Sequence, residues 1–519
     1  VLARHGMTAT SQPLAAMAGL RMLMAGGNAA DAAVTMAAML NVVEPFSTGI
    51  GGDCFALIYE AKSGKTVALN GSGRAPAAFT LEEAQRRGLT AMPFTGPLAV
   101  TVPGTVSGWA ALLERFGSRS LADCLAPAIA AAEEGFPVSP LISAGWRTME
   151  AKLARDPEAA RVYLPAPRAG DLNRQPDLAQ SLRTIAEGGP EAFYRGPLAE
   201  RIARCVQGHG GYLTEGDLTS HSVTWETPIR TSYRGVEVLE HPPNGQGLAA
   251  LEALNILELD PPEEDYFDPA RWHRMIEAMR ISMVDAGRYV ADPVHAPAPV
   301  AGLLSKVYAA ERRSLIRGDS VLPLVMPGKP TGGDTVYLAA MDAQGNAVSF
   351  INSLYAGFGS GLVVPGTGIC LQNRGACFTL EPGHPNTLAG GKRPYHTIIP
   401  ALAFREGQLW LVFGVMGGFM QPQGHMQVLV NLVDYGMDPQ AALDAPRFRV
   451  DELGGLKVAV ERGVPMETRR ALAGLGHEVM AETQFEPGFG GGQIIAISAE
   501  NNVRWGGSDP RKDGCALGY

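Results

Sequence analysis

Cysteine is scarce and scattered. Cys54, Cys124, Cys205, Cys370, Cys377 and Cys515 form no CxxC pair. That leaves no redox motif, and in a chain of 519 residues it argues against a disulfide framework. The thiols read as small buried hydrophobes. Reduced thiols set the expectation of a cytoplasmic protein. The sequence starts at Val1 rather than Met, and a signal already removed would move that expectation to the periplasm or the exterior. Charge is also thin, at 18% against the usual figure of about 25%. The net charge is only −9 and no run of lysine or arginine occurs, so no nucleic-acid partner is expected. The ten histidines show neither HExxH nor paired spacing, so no metal is expected. No serine lies in GxSxG and no P-loop lysine motif is present. The glycine-rich loop 47–53, STGIGGD, lacks the order strand, GxGxxG, helix, which leaves no dinucleotide site and no expected cofactor. Residues 88–113 are uncharged and long enough to span a bilayer, but Pro93, Pro97 and Pro103 break them into what reads as loops and short strands. No membrane partner is expected.

Glycine and proline, by contrast, are plentiful at 63 and 38 residues, interleaved with apolar residues. This predicts tight turns and close backbone approaches rather than disorder. The length allows up to three domains of about 150 residues or one large enzyme fold. The first third reads as helices, Leu14–Met24 and Asn28–Val43, then the loop 47–53 and a strand, Cys54–Tyr59. Asp268-Pro269 starts another helix, with Trp272, Met275, Ile276, Met279 and Met283 on one core-facing side. The acidic run 261–265 before it reads as a solvated loop. Residues 317–334 carry three prolines and four glycines without helical or strand period, which is a linker composition. Strands follow at 335–341, 347–355, 361–364, 368–372, 398–404 and 409–414. A helix at 423–435 and a strand at 493–498 complete the pattern. A helix-rich first part and a sheet-rich second part thus meet at Thr335.

Residues 332–355 read GGDTVYLAAMDAQGNAVSFINSLY. Thr335 opens an alternating strand, Asp342 to Asn346 form a turn, and the chain returns as a second strand. In one reading Thr335 is simply a β-branched residue starting a hairpin. In the other, the chain is cut before Thr335. The hydroxyl then carries its own base, the new α-amine, whose unperturbed pKa is about 7.7–8.0. Such chemistry needs N–H donors for an oxyanion. The tract LWLVFGVMGGFMQPQG offers strand, Gly417-Gly418, then helix, and two glycines let the backbone approach a substrate atom closely.

These stretches, with GFGSG (357–361), GTGICLQN (366–373), GKRPYHTIIP (391–400), the terminal GGSDPRKDGCALGY, GGNAADAA (26–33), EPFSTGIGGD (44–53), TVPGTVSGW (101–109) and DYGMDPQAALDAPRFR (434–449), resemble the γ-glutamyltranspeptidase (glutathione hydrolase) family over essentially the whole chain. The resemblance implies an α+β fold, the four-layer αββα sandwich of N-terminal-nucleophile hydrolases. It also implies a proenzyme cut between Asp334 and Thr335 into a large subunit, 1–334, and a small subunit, 335–519, in one intertwined fold. Thr335 matches the nucleophile, Ser353 the hydroxyl that hydrogen-bonds it, and Gly417 and Gly418 the oxyanion glycines.

The family's clamp for the α-carboxylate and α-amine of a γ-glutamyl donor is rewritten. Its arginine position falls on Ser72, with Arg74 two residues on. The asparagine falls on Tyr355, the glutamine on Arg374, the ammonium-binding aspartate on Cys377, and the serine pair on His396-Thr397. Asn373 stands beside Arg374. Losing the aspartate removes a charge-assisted bond of about 1.5–3 kcal/mol, and Arg374 repels an ammonium. The expected substrate is therefore a small amide whose acyl group bears a carboxylate. Glutaryl-cephalosporin acylases and oxamate-type amidohydrolases are relatives of this kind. γ-Glutamyl hydrolysis remains the alternative if Arg74 and Arg374 rebuild the clamp. An alternative of another class is an unprocessed, silent binding protein, which a denaturing gel separates from a two-band enzyme. The processed pair alone and a homodimer of it are both compatible with the sequence.

Overall fold

The computed structural model describes residues 1–322, 334–452, 454–483 and 485–519, apart from the side chains of Asp334 and Thr335. Of the expected linker, 323–333 lie outside the described residues.

Alternation along the strands builds the layers. In the strand Asp334–Met341, Val336, Leu338 and Ala340 face a helical cluster, while Tyr337, Ala339 and Met341 face a second sheet. In Ala401–Arg405 the same alternation puts Ala401 and Ala403 against other helices and Leu402 and Phe404 between the sheets. A strand buried on both faces requires cover on both sides. Two seven-stranded sheets accordingly stack face to face with helices outside each, a four-layer αββα sandwich of the α+β class. One sheet runs Leu2–Ala3, Arg504–Ser508, Gly491–Ile497, Gln408–Met416, Ala401–Arg405, Val236–Glu240, Ile229–Tyr233. The other runs Cys515–Gly518, Met7–Thr10, Asp334–Met341, Ala347–Tyr355, Asp53–Glu60, Lys65–Asn70, Thr224–Glu226.

Residues before and after Thr335 are thus neighbours in both sheets. This corrects the picture of a helical first part beside a sheet-rich second part: seven strands of the two sheets come from the first 334 residues. Their local signals are short, and their partners lie far away in sequence. A second correction concerns 88–113. After Pro103 a helix, Thr105–Phe116, buries Val106, Trp109, Leu112 and Leu113 on one side, so only the proline-bearing part is irregular. No helix among the described residues is long and apolar enough to cross a membrane.

Two helices start where the sequence places them, while the one expected at 423–435 runs Met420–Asp434. Asn28 caps Ala29–Val43 with a reciprocal bond to Asp31, and Asp268 caps Pro269–Tyr289. The latter is buried almost all round from Arg271 to Ala286, not only on its methionine face. It therefore carries buried charge. Asp285 accepts from Arg312 Nε at 2.8 Å and from the Tyr308 hydroxyl at 2.9 Å. Glu252, on Gly247–Leu257, is pushed well above the carboxylate range by burial and then by Asp285. The folded state holds a proton there that the unfolded chain releases above its own pKa of about 4.3. This contribution to stability is complete below that value and declines as pH rises. Glu252→Gln is expected to unfold at pH 8 no earlier than wild type, with a shallower loss of midpoint between pH 5 and 8. A steeper loss in the variant contradicts the assignment.

Candidate active site

The strand of Thr335 lies between Met7–Thr10 and Ala347–Tyr355, and its register breaks between Asp334 and Val336. Asp342 turns the hairpin, its Oδ1 accepting from Gln344 N at 3.0 Å and Asn346 N at 2.9 Å. Tyr337 lies over Gly414 of the facing sheet so closely that a Cβ there would sit 2.5 Å from the ring. Met7, opposite Met341, touches the strand at Gly506. Gly506 pairs with Ile495, and Ile495 with Val412. Going from Met341 to Thr335 therefore runs alongside going from Val412 to Gly417. Thr335 and Gly417-Gly418 reach the same edge of the sandwich.

Gly417 and Gly418 hold φ of 124° and 59°, a region that favours glycine. Neither N–H finds an acceptor among the described residues. They precede the helix Met420–Asp434, whose N-terminal dipole favours negative charge. Gln246 fixes this turn: its Nε2 donates to the Gly418 carbonyl at 2.8 Å and to the Thr397 carbonyl at 2.6 Å, while Tyr395 donates to its Oε1 at 3.0 Å. Only a turn signal, PPNGQG, marked this residue in the sequence.

Thr397 belongs to the second half of the site. Arg374 is buried, and its Nη1 donates to Thr397 Oγ1 at 2.8 Å and its Nη2 to Ser353 Oγ at 3.2 Å. Cys377 Sγ lies 3.9 Å from Nη1, and the guanidinium stacks 4.4 Å from the Tyr355 ring centre. Tyr355 itself has a φ of 78°, backbone strain of the kind that functional sites retain. Arg374 Nε has no hydrogen-bond partner, and no carboxylate among the described residues makes an ion pair with this arginine. Ser353 Oγ also accepts from Tyr355 N at 2.8 Å.

Asp53 opens its strand opposite Ser353. His396 Nε2 meets its Oδ2 at 3.1 Å. Burial pushes Asp53 up to about 6, with the charge of Arg374 pulling it back down. Burial, then Arg374, holds His396 far below its ordinary range, so it is neutral. Burial raises the Cys377 thiol.

Ser353, Tyr355, Arg374, Cys377 and Thr397 therefore converge, and His396 joins them through Asp53. Two candidates stand apart. Asn373 braces loops, donating to Phe94 O at 2.7 Å and accepting from Ala356 N at 3.0 Å. Arg74 Nη1 reaches the Ser222 carbonyl at 3.5 Å, and no hydrogen bond or ion pair joins it to the residues that hold Arg374. Ser72, at the family's arginine position, is buried and donates to Asn70 Oδ1 at 2.7 Å.

His273, Glu277 and His477 come within metal-ligand reach of one another, which the sequence spacing did not suggest. Their atoms are already engaged. His273 meets His477 Nε2 at 2.8 Å and Arg317 O at 2.7 Å, while Glu277 is paired with Arg280 and accepts from Leu322 N at 2.9 Å. A guanidinium on the same carboxylate opposes a cation there, and the donor set acts as a clamp on 317–322.

A doubly covered pair of sheets, with an inner strand that carries Thr335 next to its first residue and reaches the same edge as a pair of glycine N–H groups unengaged among the described residues, fits the class of N-terminal-nucleophile hydrolases. Within that class the family model described as gamma-glutamyltranspeptidase matches residues 15–519. The chain belongs to the γ-glutamyltranspeptidase family and is an amidohydrolase or acyltransferase of the proenzyme kind. It is 39% identical to the glutathione hydrolase-like YwrD proenzyme of Bacillus subtilis strain 168, covering 100% of this chain and 99% of that one. It is 36% identical to an oxamate amidohydrolase proenzyme of Klebsiella pneumoniae, covering 99% and 98%. The crystal structure of a cephalosporin acylase from Bacillus halodurans superposes with a TM-score of 0.94 at 46% identity, covering 100% and 96%.

Proposed function

We propose that the chain cuts itself between Asp334 and Thr335 and that the product hydrolyses amides whose acyl group ends in a carboxylate without a neighbouring amine, of the glutaryl type. In this reading the α-amine of Thr335 takes the proton from its own hydroxyl. The oxygen attacks the amide carbonyl, and the N–H groups of Gly417 and Gly418 receive the oxyanion. The C–N bond then breaks as the α-ammonium returns the proton to the leaving amine. Water, deprotonated by the same amine, releases the acyl group from the ester.

One observation carries the acyl preference. Arg374 is buried beside Ser353 with no ion-pair partner among the described residues and an unsatisfied Nε. A cation in that state is costly, and a planar guanidinium matches a carboxylate in two parallel bonds. Cys377 supplies no charge for an ammonium. The likeness to a protein titled a cephalosporin acylase points the same way.

The test compares glutaryl and γ-glutamyl amides of one chromogenic amine. Wild type is expected to prefer the glutaryl amide. Arg374→Gln should lose about 10- to 100-fold in kcat/KM for it, in line with about 1.5–3 kcal/mol for a charged hydrogen bond, with little change for the γ-glutamyl amide. A γ-glutamyl preference that survives the substitution rejects the proposal.

A further inference from the structure

Asp53 is enclosed by the residues that hold Arg374. Its strand partner is Ser353, which accepts from Arg374. Its Oδ2 meets His396, the neighbour of Thr397, the other hydroxyl on Arg374. Its Oδ1 accepts from Gln372, two residues ahead of Arg374, at 2.9 Å, and from Gly73 N at 3.0 Å and Gly104 N at 3.2 Å. Two opposite charges thus share a set of brackets, yet no ion pair is formed between them. The remaining groups that face Asp53 are the cation Arg393 and the neutral Cys54, Cys377, Tyr194 and His396. Among the described residues one buried carboxylate therefore lies in the field of the cation that a substrate would meet.

We infer that Asp53 sets the charge preference of the acyl pocket: its carboxylate competes with the substrate's carboxylate for Arg374 and takes up a proton when such a substrate binds. The inference rests on Arg374 being the acyl anchor. Three hydrogen bonds and the field of Arg374 keep Asp53 ionised against burial. A ligand anion on Arg374 cancels that field and adds repulsion between two anions in a region of low dielectric. Asp53 then binds a proton more tightly, so carboxylate ligands weaken as pH rises through its titration. The proton comes from solvent, and no bond other than O–H forms. Asp53 is a positioning residue and does not touch the substrate.

Glutarate is the probe. Calorimetric titration of the processed wild type near pH 6.5, in two buffers of different ionisation enthalpy, is expected to give heats that differ in the sense of proton uptake. Glutarate affinity should fall about five- to tenfold from pH 5.5 to 7.5, since a pKa change of one unit is worth about tenfold. In Asp53→Asn the buffer difference should vanish and affinity should become flat with pH, at the tight, low-pH value. To meet the asparagine amide His396 must change tautomer and give up the long bond its Nδ1 accepts from Ile398 N at 3.4 Å. Equal heats in wild type overturn the inference even if the variant does not fold. So does an unchanged pH trend in a folded variant, because the α-amine of Thr335 is then the titrating group. Arg374→Gln separates the two readings. If it binds glutarate as wild type does, the anchor fails and this inference with it. If it binds weakly while the wild-type heats agree between buffers, only the role of Asp53 fails.

Discussion

Thr335→Ala is expected to run as one band on a denaturing gel, with no turnover of any amide that the wild type hydrolyses. One hydroxyl serves both steps, so both disappear together. In a hydrolase whose nucleophile is removed the loss is roughly 10⁶-fold, which places residual activity below detection. Thr335→Ser should keep some of each activity, because the hydroxyl and, after cleavage, the α-amine are still supplied by one residue. Mass spectrometry of the small wild-type fragment should find threonine first. The backbone gives these expectations their ground. The register breaks at this residue, and the strand opens at the edge where Gly417 and Gly418 also emerge. A cut at another bond, or an alanine protein with comparable turnover, removes Thr335 from the mechanism.

Gly418→Ala is expected to lower kcat by about 10²- to 10³-fold, the effect of about 2.7–4 kcal/mol seen when one oxyanion donor is lost. At φ 59° a Cβ strains the left-handed backbone, at about 1–2 kcal/mol. The chain relieves that strain by rotating the peptide, which swings the N–H away from its target. Gln246 holds the Gly418 carbonyl from behind, so the turn cannot follow as a rigid unit. KM should move far less than kcat, since the ground-state carbonyl makes weaker use of the donors than the oxyanion does. Unchanged kinetics in a folded, processed protein would place the oxyanion site elsewhere.

What was legible in the sequence was local. The hairpin from Thr335 to Tyr355, the caps at Asn28 and Asp268, and the Gly417-Gly418 turn each sit within a few residues of the signal that reveals them. Asp53 and Gln246 carried no such signal. Asp53 takes its meaning from Gln372, 319 residues away, and Gln246 from Gly418, 172 residues away. A buried aspartate in a glycine-rich loop looks like any turn residue until the sheet places it opposite Ser353. Arg74 shows the reverse failure. Its closeness in sequence to the family's arginine position suggested a clamp, yet the side chain points to the Ser222 carbonyl. The strands Lys65–Asn70 and Val236–Glu240 were missed because a strand's stability comes from neighbours on the pleated surface, not from the strand alone.

Both sheets interleave strands from either side of Thr335, so neither piece holds a complete sheet of its own. Before the cut, unfolding is a one-molecule event, and the chain refolds at a rate independent of how dilute it is. After the cut, the same loss of structure releases two chains that must find each other again. The midpoint of unfolding then depends on protein concentration, and recovery becomes a second-order step that slows on dilution. Self-cleavage therefore changes the order of the folding reaction while leaving the native contacts in place. A processed molecule that unfolds in dilute solution therefore regains its shape only as fast as its two pieces meet.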